Sequence, residues 1–198
     1  LAVEWVEAEG PLVDVWPPEN YRRLFGELDL KQVTPAEAEQ VLTNFLPRAF
    51  RRPVASTKRD EYLAFFRRRL ELDPKHVAEA LRQSLTAVLC SPDFLLLHEA
   101  PGPLDDYAVA SRLSYFFWRS MPDEQLLDLA SRQRLRSPDE LRRQIDRLSA
   151  DPKGAAFAEH FVGQWLGLRQ LDATTPDRML YPEFDDYLKY SMLREPQL

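Results

Sequence analysis

Few side chains in this sequence could move a proton or hold an ion, and they are scattered. The three histidines, His76, His98 and His160, fall on separate predicted helices or turns, and that spacing gives no support to a three-histidine zinc site. His98-Glu99 lacks the second histidine of a helical zinc-binding His-Glu-x-x-His pair. Cys90 is the only cysteine, so there is neither an internal disulfide nor a Cys-x-x-Cys motif. It lies between Leu89 and Ser91 near a predicted helix end with no base beside it, and it reads as a buried, inert thiol. A phosphate-cradling glycine loop, a dinucleotide fingerprint and a nucleophile elbow are all absent from the sequence.

The one stretch with a pattern suited to chemistry is Glu159-His160-Phe161-Val162-Gly163-Gln164-Trp165. On a helix, Phe157, Phe161, Gln164 and Leu168 fall within about 60° of one another at about 100° per residue. That places Gln164 amid an apolar face, with His160 one turn earlier at its edge. A buried glutamine must find hydrogen-bond partners. His160, Arg112 and Ser114 are the candidates. One reading is a polar pocket in a helical core, with His160 carrying the proton and Gln164 and Arg112 beside it. The plainer reading is a satisfied network that fixes helix register. Arg112 and Arg119 could take an anionic ligand. As ion pairs, Asp105, Asp106 and Glu124 are carboxylates nearby in sequence. The doublets Asp105–Asp106, Asp123–Glu124 and Asp185–Asp186 sit at predicted helix N-termini, where the helix dipole favours them.

The elements that must position these groups are helices with a recurring start signal. Thr34-Pro35-Ala36-Glu37 combines an N-cap, a proline at the first helical position and a capping-box glutamate. Ala38, Val41, Leu42, Phe45 and Leu46 follow at helical spacing, until Pro47 is expected to bend or interrupt the helix. Ser56 or Thr57 opens the next helix, with Tyr62, Phe65, Phe66 and Leu70 on one face. Asp73-Pro74 opens a third, whose small residues Ala80, Ser84, Ala87 and Ser91 allow close approach of a neighbour. Asp105 or Asp106 caps a helix to about Ser120 whose apolar residues cover most of its circumference, the pattern of a buried central helix. Pro122-Asp123-Glu124, Ser137-Pro138-Asp139-Glu140 and Asp151-Pro152 start three more, and a last amphipathic piece runs from Phe184 to about Arg194. The starts are irregularly spaced, so they do not form a solenoid repeat.

The first residues differ. Leu1, Val3 and Trp5 alternate with polar residues up to Glu9, and Trp16-Pro17-Pro18 then forbids helix. Residues 1–33 therefore read as a strand and proline-rich linker, the end of a preceding β domain, and residues 34–198 as one helical module cut at its C-terminal end. The expected class is mostly all-α: a multi-helix orthogonal bundle around a buried aromatic helix, with an extended N-terminal segment.

With 198 residues, 6 Gly and 16 Pro, the chain is long enough for one domain or more and poor in the glycines of a loop-rich β fold. The net charge is −6, and arginine clusters such as Arg67–Arg69 and Arg142–Arg143 are interleaved with acids. A nucleic-acid surface needs an uncompensated basic face, so that class is disfavoured. No apolar run reaches about 18 residues, so no membrane span is expected.

Six stretches carry a resemblance: Phe45-Leu-Pro-Arg-Ala-Phe-Arg-Arg-Pro53, Ser91-Pro-Asp-Phe-Leu95, Leu113-Ser-Tyr-Phe-Phe-Trp118, Met121-Pro-Asp-Glu124, Phe161-Val-Gly-Gln-Trp-Leu166 and Tyr181-Pro-Glu-Phe-Asp185. In order and wording they resemble a family of uncharacterised multidomain proteins abundant in planctomycetes and some other bacteria, which often carry a c-type cytochrome domain elsewhere in the chain. The resemblance implies a helical module beside β domains, exported to the periplasm or cell exterior, with other domains of the same polypeptide as its partners. It implies no cofactor in this segment, since the haem-attachment motif is absent here; haem would belong elsewhere in the full-length protein. It transfers no catalytic residue. The expected role is a scaffold or interaction module of a larger exported protein with a redox link. The alternative is an enzyme or ligand-binding domain with a pocket around His160, Gln164 and Arg112.

Overall fold

The computed structural model describes residues 5, 10, 15–97, 99, 101–173, 176–177 and 179–195, without the side chains of 169 and 172. Among these residues the protein is all-α, with ten helices, two short 3-10 turns and no strand. The predicted strand at 1–9 lies outside the described residues except for Trp5, as do His98 and the last three residues. The chain divides into two compact units, 1–95 and 96–198, where the pattern from Thr34 onward read as one module.

Unit 1 contains α1 (Glu19–Phe25), α2 (Pro35–Phe50), α3 (Ser56–Leu72), α4 (Val77–Leu89) and the single turn α5 (Pro92–Leu95). Helix α1 stands where the reading of 1–33 placed linker. It starts after Pro18, carries Glu19 in its first turn and stops at Gly26, whose φ of 63° suits glycine. Leu24, Phe25, Leu28 and Leu30 pack against the unit's core, so apolar burial recruits a segment that its prolines had marked as linker.

The start of α2 is as the sequence predicts. Thr34 Oγ1 accepts the Glu37 N–H at 3.3 Å, and the Glu37 carboxylate accepts the Thr34 N–H at 2.8 Å. That backbone donation holds the Glu37 carboxyl below its usual range. Pro47 does not end the helix, which runs to Phe50. The proline costs one intrahelical bond near the C-terminus, and burial of Leu46, Ala49 and Phe50 outweighs that loss. On α3 the buried residues are Leu63 and Phe66, while Phe65 is exposed. Ala80 and Ser84 are buried on α4, which packs on α2 and α3. Ser84 Oγ donates back to the Ala80 carbonyl at 2.8 Å, so a hydroxyl enters the core at no unpaired cost.

Unit 2 contains α6 (Asp106–Trp118), α7 (Glu124–Ser131), α8 (Pro138–Ala150), a 3-10 turn (Pro152–Gly154), α9 (Ala155–Trp165), a second 3-10 turn (Leu168–Asp172) and α10 (Asp186–Arg194). Asp105, Asp123, Ser137 and Asp185 each cap the helix that follows. Helix α6 is the centre, packing on α7, α8 and α9. What it buries differs from expectation. Ala108, Ala110, Ser111 and Ser114 face inward together with Trp118, while Phe116 is 55% exposed. Small side chains let neighbouring helices approach closely, and the phenylalanine rings are displaced to the flank.

The unit is closed by Asp106. Its carboxylate is buried and accepts the Leu135 N–H at 2.7 Å and Arg136 Nε at 2.6 Å. This pins the loop after α7 onto the start of α6 and seats Leu135 fully inside. Asp106→Ala leaves a buried N–H without a partner, and we expect a loss of about 2 kcal/mol in urea unfolding; Asp105→Ala, which removes the exposed cap of α6, is expected to cost about 1 kcal/mol.

Candidate functional site

Helix α9 positions His160 and Gln164. It is launched by the 3-10 turn, where Asp151 accepts the Lys153 N–H at 2.8 Å. Gly154 has no room for a side chain: a Cβ there would lie 2.8 Å from the Ser149 carbonyl oxygen and 3.0 Å from that of Leu148. The glycine therefore sets how closely α9 follows α8.

His160 is half-buried, and its Nε2 meets the Arg119 guanidinium. Arg119 sits at the C-cap of α6 in the left-handed region, with φ of 52°. Gln164 is exposed, because α9 buries none of its residues. The helical period puts Gln164 on the side of Phe157 and Phe161, but α9 ends at Trp165 and Leu168 lies beyond left-handed Gly167, outside the predicted face; nor does period alone say whether a face is covered. Arg112 takes Glu99, not Asp105, Asp106 or Glu124, in a two-point pair with one arm at 2.9 Å. The pair holds the guanidinium still more firmly protonated. Ser114 Oγ donates to the Ser111 carbonyl at 3.0 Å. Among the described residues, then, neither Arg112 nor Gln164 bonds to His160, and the predicted trio does not converge. Nor do three metal-ligating side chains gather among the described residues. Cys90, expected to be buried, is exposed at the C-cap of α4, since the helix ends at Leu89 and the apolar face ends with it.

Two features were missed from sequence. One is the polar lattice inside unit 2. Arg147 Nη1 donates to Asp123 Oδ2 at 2.6 Å and Arg147 Nε to Gln144 Oε1 at 2.7 Å, while Gln144 Nε2 donates to Glu140 Oε1 at 2.9 Å. Trp118 Nε1 donates to the Leu148 carbonyl at 3.0 Å, and Arg147 and Lys153 lie over its ring. Burial works to raise Asp123, but Arg147, the Leu126 N–H and Lys153 outweigh it and hold the carboxyl low. Glu140 is held low chiefly by Gln144, then by Arg143. The signal was present in Asp123, Glu140, Gln144 and Arg147, whose roles depend on the α7 N-cap meeting Arg147 of α8, which their spacing does not disclose.

The other feature is a run of rings. Phe117 and Phe116 are 5.1 Å apart, Phe116 and Phe157 4.8 Å, Phe157 and Phe161 5.2 Å, and Phe161 and Trp165 6.1 Å. Exposure is 55% at Phe116, 50% at Phe161 and 75% at Trp165. The run therefore forms a continuous aromatic surface along α6 and α9.

Comparison with known proteins fits this division. Residues 37–99 match the model of a family described as PSD5, a protein of unknown function (DUF1595), and residues 104–198 match that of PSD4, a protein of unknown function (DUF1592). The break between the matches falls a few residues from the boundary of the two units. Two domains of unknown function thus follow one another in the chain, consistent with an uncharacterised multidomain family. No curated protein and no solved structure matches the chain.

Asp123 and Glu140 have depressed folded-state pKa values, so their contribution to stability is present above the unfolded carboxylate range and is lost as pH falls through the folded values. The urea midpoint of unit 2 is expected to fall as pH drops from about 5 to about 3. The Asp123→Asn/Glu140→Gln double variant should show a flatter profile; an equally steep one would remove these groups from the linkage.

Proposed function

We propose that the chain is a helical scaffold and interaction module of a larger exported bacterial protein, and that unit 2 presents its aromatic surface to another domain of the same polypeptide. The observation that carries this reading is the ring run from Phe117 to Trp165. Monomeric surfaces seldom leave large contiguous apolar patches open, and such patches mark contact sites. Aromatic residues are also the side chains enriched where protein surfaces meet. The interior supports the same reading. The buried carboxylates Asp106 and Glu140 are consumed by structural bonds, so they secure helices instead of facing a cleft. No described helix is long and apolar enough to cross a membrane.

Export to the periplasm or cell exterior, and linkage to a c-type cytochrome domain, are supported by the sequence resemblance. Cell fractionation and haem staining of the full-length gene product test them; a cytosolic, haem-free product would overturn that part alone.

The docking reading is tested by hydrogen exchange. The α9 amides should exchange about tenfold more slowly in the full-length product than in the 198-residue chain. Phe161→Glu/Trp165→Glu should abolish the slowing while costing the isolated chain no more than about 1 kcal/mol, because both rings are half or more exposed there. Equal exchange in the two proteins would mean that nothing covers the face.

A further inference from the structure

Unit 1 carries a groove of about 620 Å³ between the end of α1 with the segment after it and the Val77–Leu85 stretch of α4. Phe25, Leu30, Leu81 and Leu85 make an apolar floor, and Lys31, Lys75 and Arg82 stand around it. The chemistry of that rim is lopsided. Glu79 is the one carboxylate among the lining residues, and it is engaged by Arg82 and Gln83, which hold its carboxyl down to about 2. His76 faces the groove too, and its Nδ1 is held 2.7 Å from Asp73. Asp29 accepts the backbone N–H of Lys31 at 2.9 Å. That leaves the Lys31 and Lys75 ammonium groups without a carboxylate partner among the described residues, both exposed at the lip of the apolar floor.

The geometry points to a small anionic amphiphile as the occupant: a fatty or aryl carboxylate whose tail lies on Phe25, Leu30, Leu81 and Leu85 and whose headgroup is held by Lys31 and Lys75. The volume is that of small-ligand pockets, about 300–1,000 Å³, which are mostly apolar with a few placed polar groups. The charge pattern selects the headgroup. A neutral alcohol of the same length gains the floor and nothing from the rim, and a cation is repelled by it. The site involves unit 1 alone, so it stands or falls separately from the docking of unit 2.

Three probes with one tail and different heads test this: octanoate, 1-octanol and octyltrimethylammonium, titrated below micelle formation into the isotopically labelled chain. Octanoate should shift the amide resonances of Val77, Ala78 and Leu81 saturably and bind about tenfold tighter than octanol, and the cation should not compete. Affinity for octanoate should weaken as salt is raised to about 1 M. Lys31→Glu/Lys75→Glu lies on exposed positions, so the fold should persist by circular dichroism while octanoate affinity drops about tenfold. Ala78→Trp, which fills the floor, should abolish binding of both octanoate and octanol. Equal affinity for octanoate and octanol, octanoate binding indifferent to the lysine exchange, or no saturable shift at these amides would each overturn the assignment. So would saturation of the same amides by an acidic amphipathic peptide but not by octanoate, which would make the groove a protein contact.

Discussion

Both units depend on one constraint: backbone groups drawn inside by helix packing must find partners there. Each unit meets it with a buried charged side chain. In unit 1 the single turn α5 leaves carbonyls that no further helical turn can use. Arg51, buried at the C-cap of α2, donates to the Asp93 carbonyl at 2.8 Å and to that of Phe94 at 3.0 Å. In unit 2 Asp106 accepts the Leu135 N–H across 29 residues of chain, roughly the length of a helical hairpin. A net hydrogen bond to a charged group is worth only about 1.5–3 kcal/mol, yet leaving the backbone group unpaired costs a similar amount again. Removing either charge therefore loses its bond and opens the segment it holds.

Arg51 also shows how far a unit accepts local strain for this purpose. Its φ of 58° places a non-glycine residue in the left-handed region, at about 1–2 kcal/mol. Arg119 does the same at the C-cap of α6, and its guanidinium turns to His160 on α9. Glycine would relieve the backbone at both sites and lose the reach. That α2 and α6 both end on a left-handed arginine follows from one need: the chain must stop, turn, and leave behind a donor long enough to secure another segment.

Much of this was legible in the sequence, and the limit is physical. Helix starts were readable because their cause is local. Thr34, Asp105, Asp123 and Ser137 bond within three residues of themselves, so a short window contains the whole interaction. Faces were readable for the same reason, since Ala80 and Ser84 share a helix side at any level of burial. Coverage was not. Gln164 sits on the face that periodicity gives it, and the face is open. Phe65 was aligned with Phe66, yet Leu63 takes the interior place. Helix α1 was hidden by prolines that end at Pro18 and by hydrophobic residues too few to show a period. Arg112 was matched to the acids beside it, while its partner Glu99 lies thirteen residues back across a glycine-proline break. In each case the deciding contact lies beyond the helix being read.

The open face of α9 follows from what α6 already spends. To bring α7 and α8 close, α6 turns Ala110, Ser111 and Ser114 inward, and its remaining rings stay on the flank. Helix α9 can then cover Phe116 and Phe117 only in part, with Phe157, and its own Phe161 and Trp165 extend the run outward. At roughly 25 cal/mol per Å² of apolar surface, and about 150–250 Å² per ring, an exposed Trp165 alone forgoes several kcal/mol of burial. The single-sided packing of α9 is affordable only while α6, α7 and α8 are secured by other means, which Asp106, Asp123 and Arg147 provide. A polar lattice inside and an aromatic surface outside are thus two sides of one arrangement: the charges hold the unit together, and the rings are left over for contact.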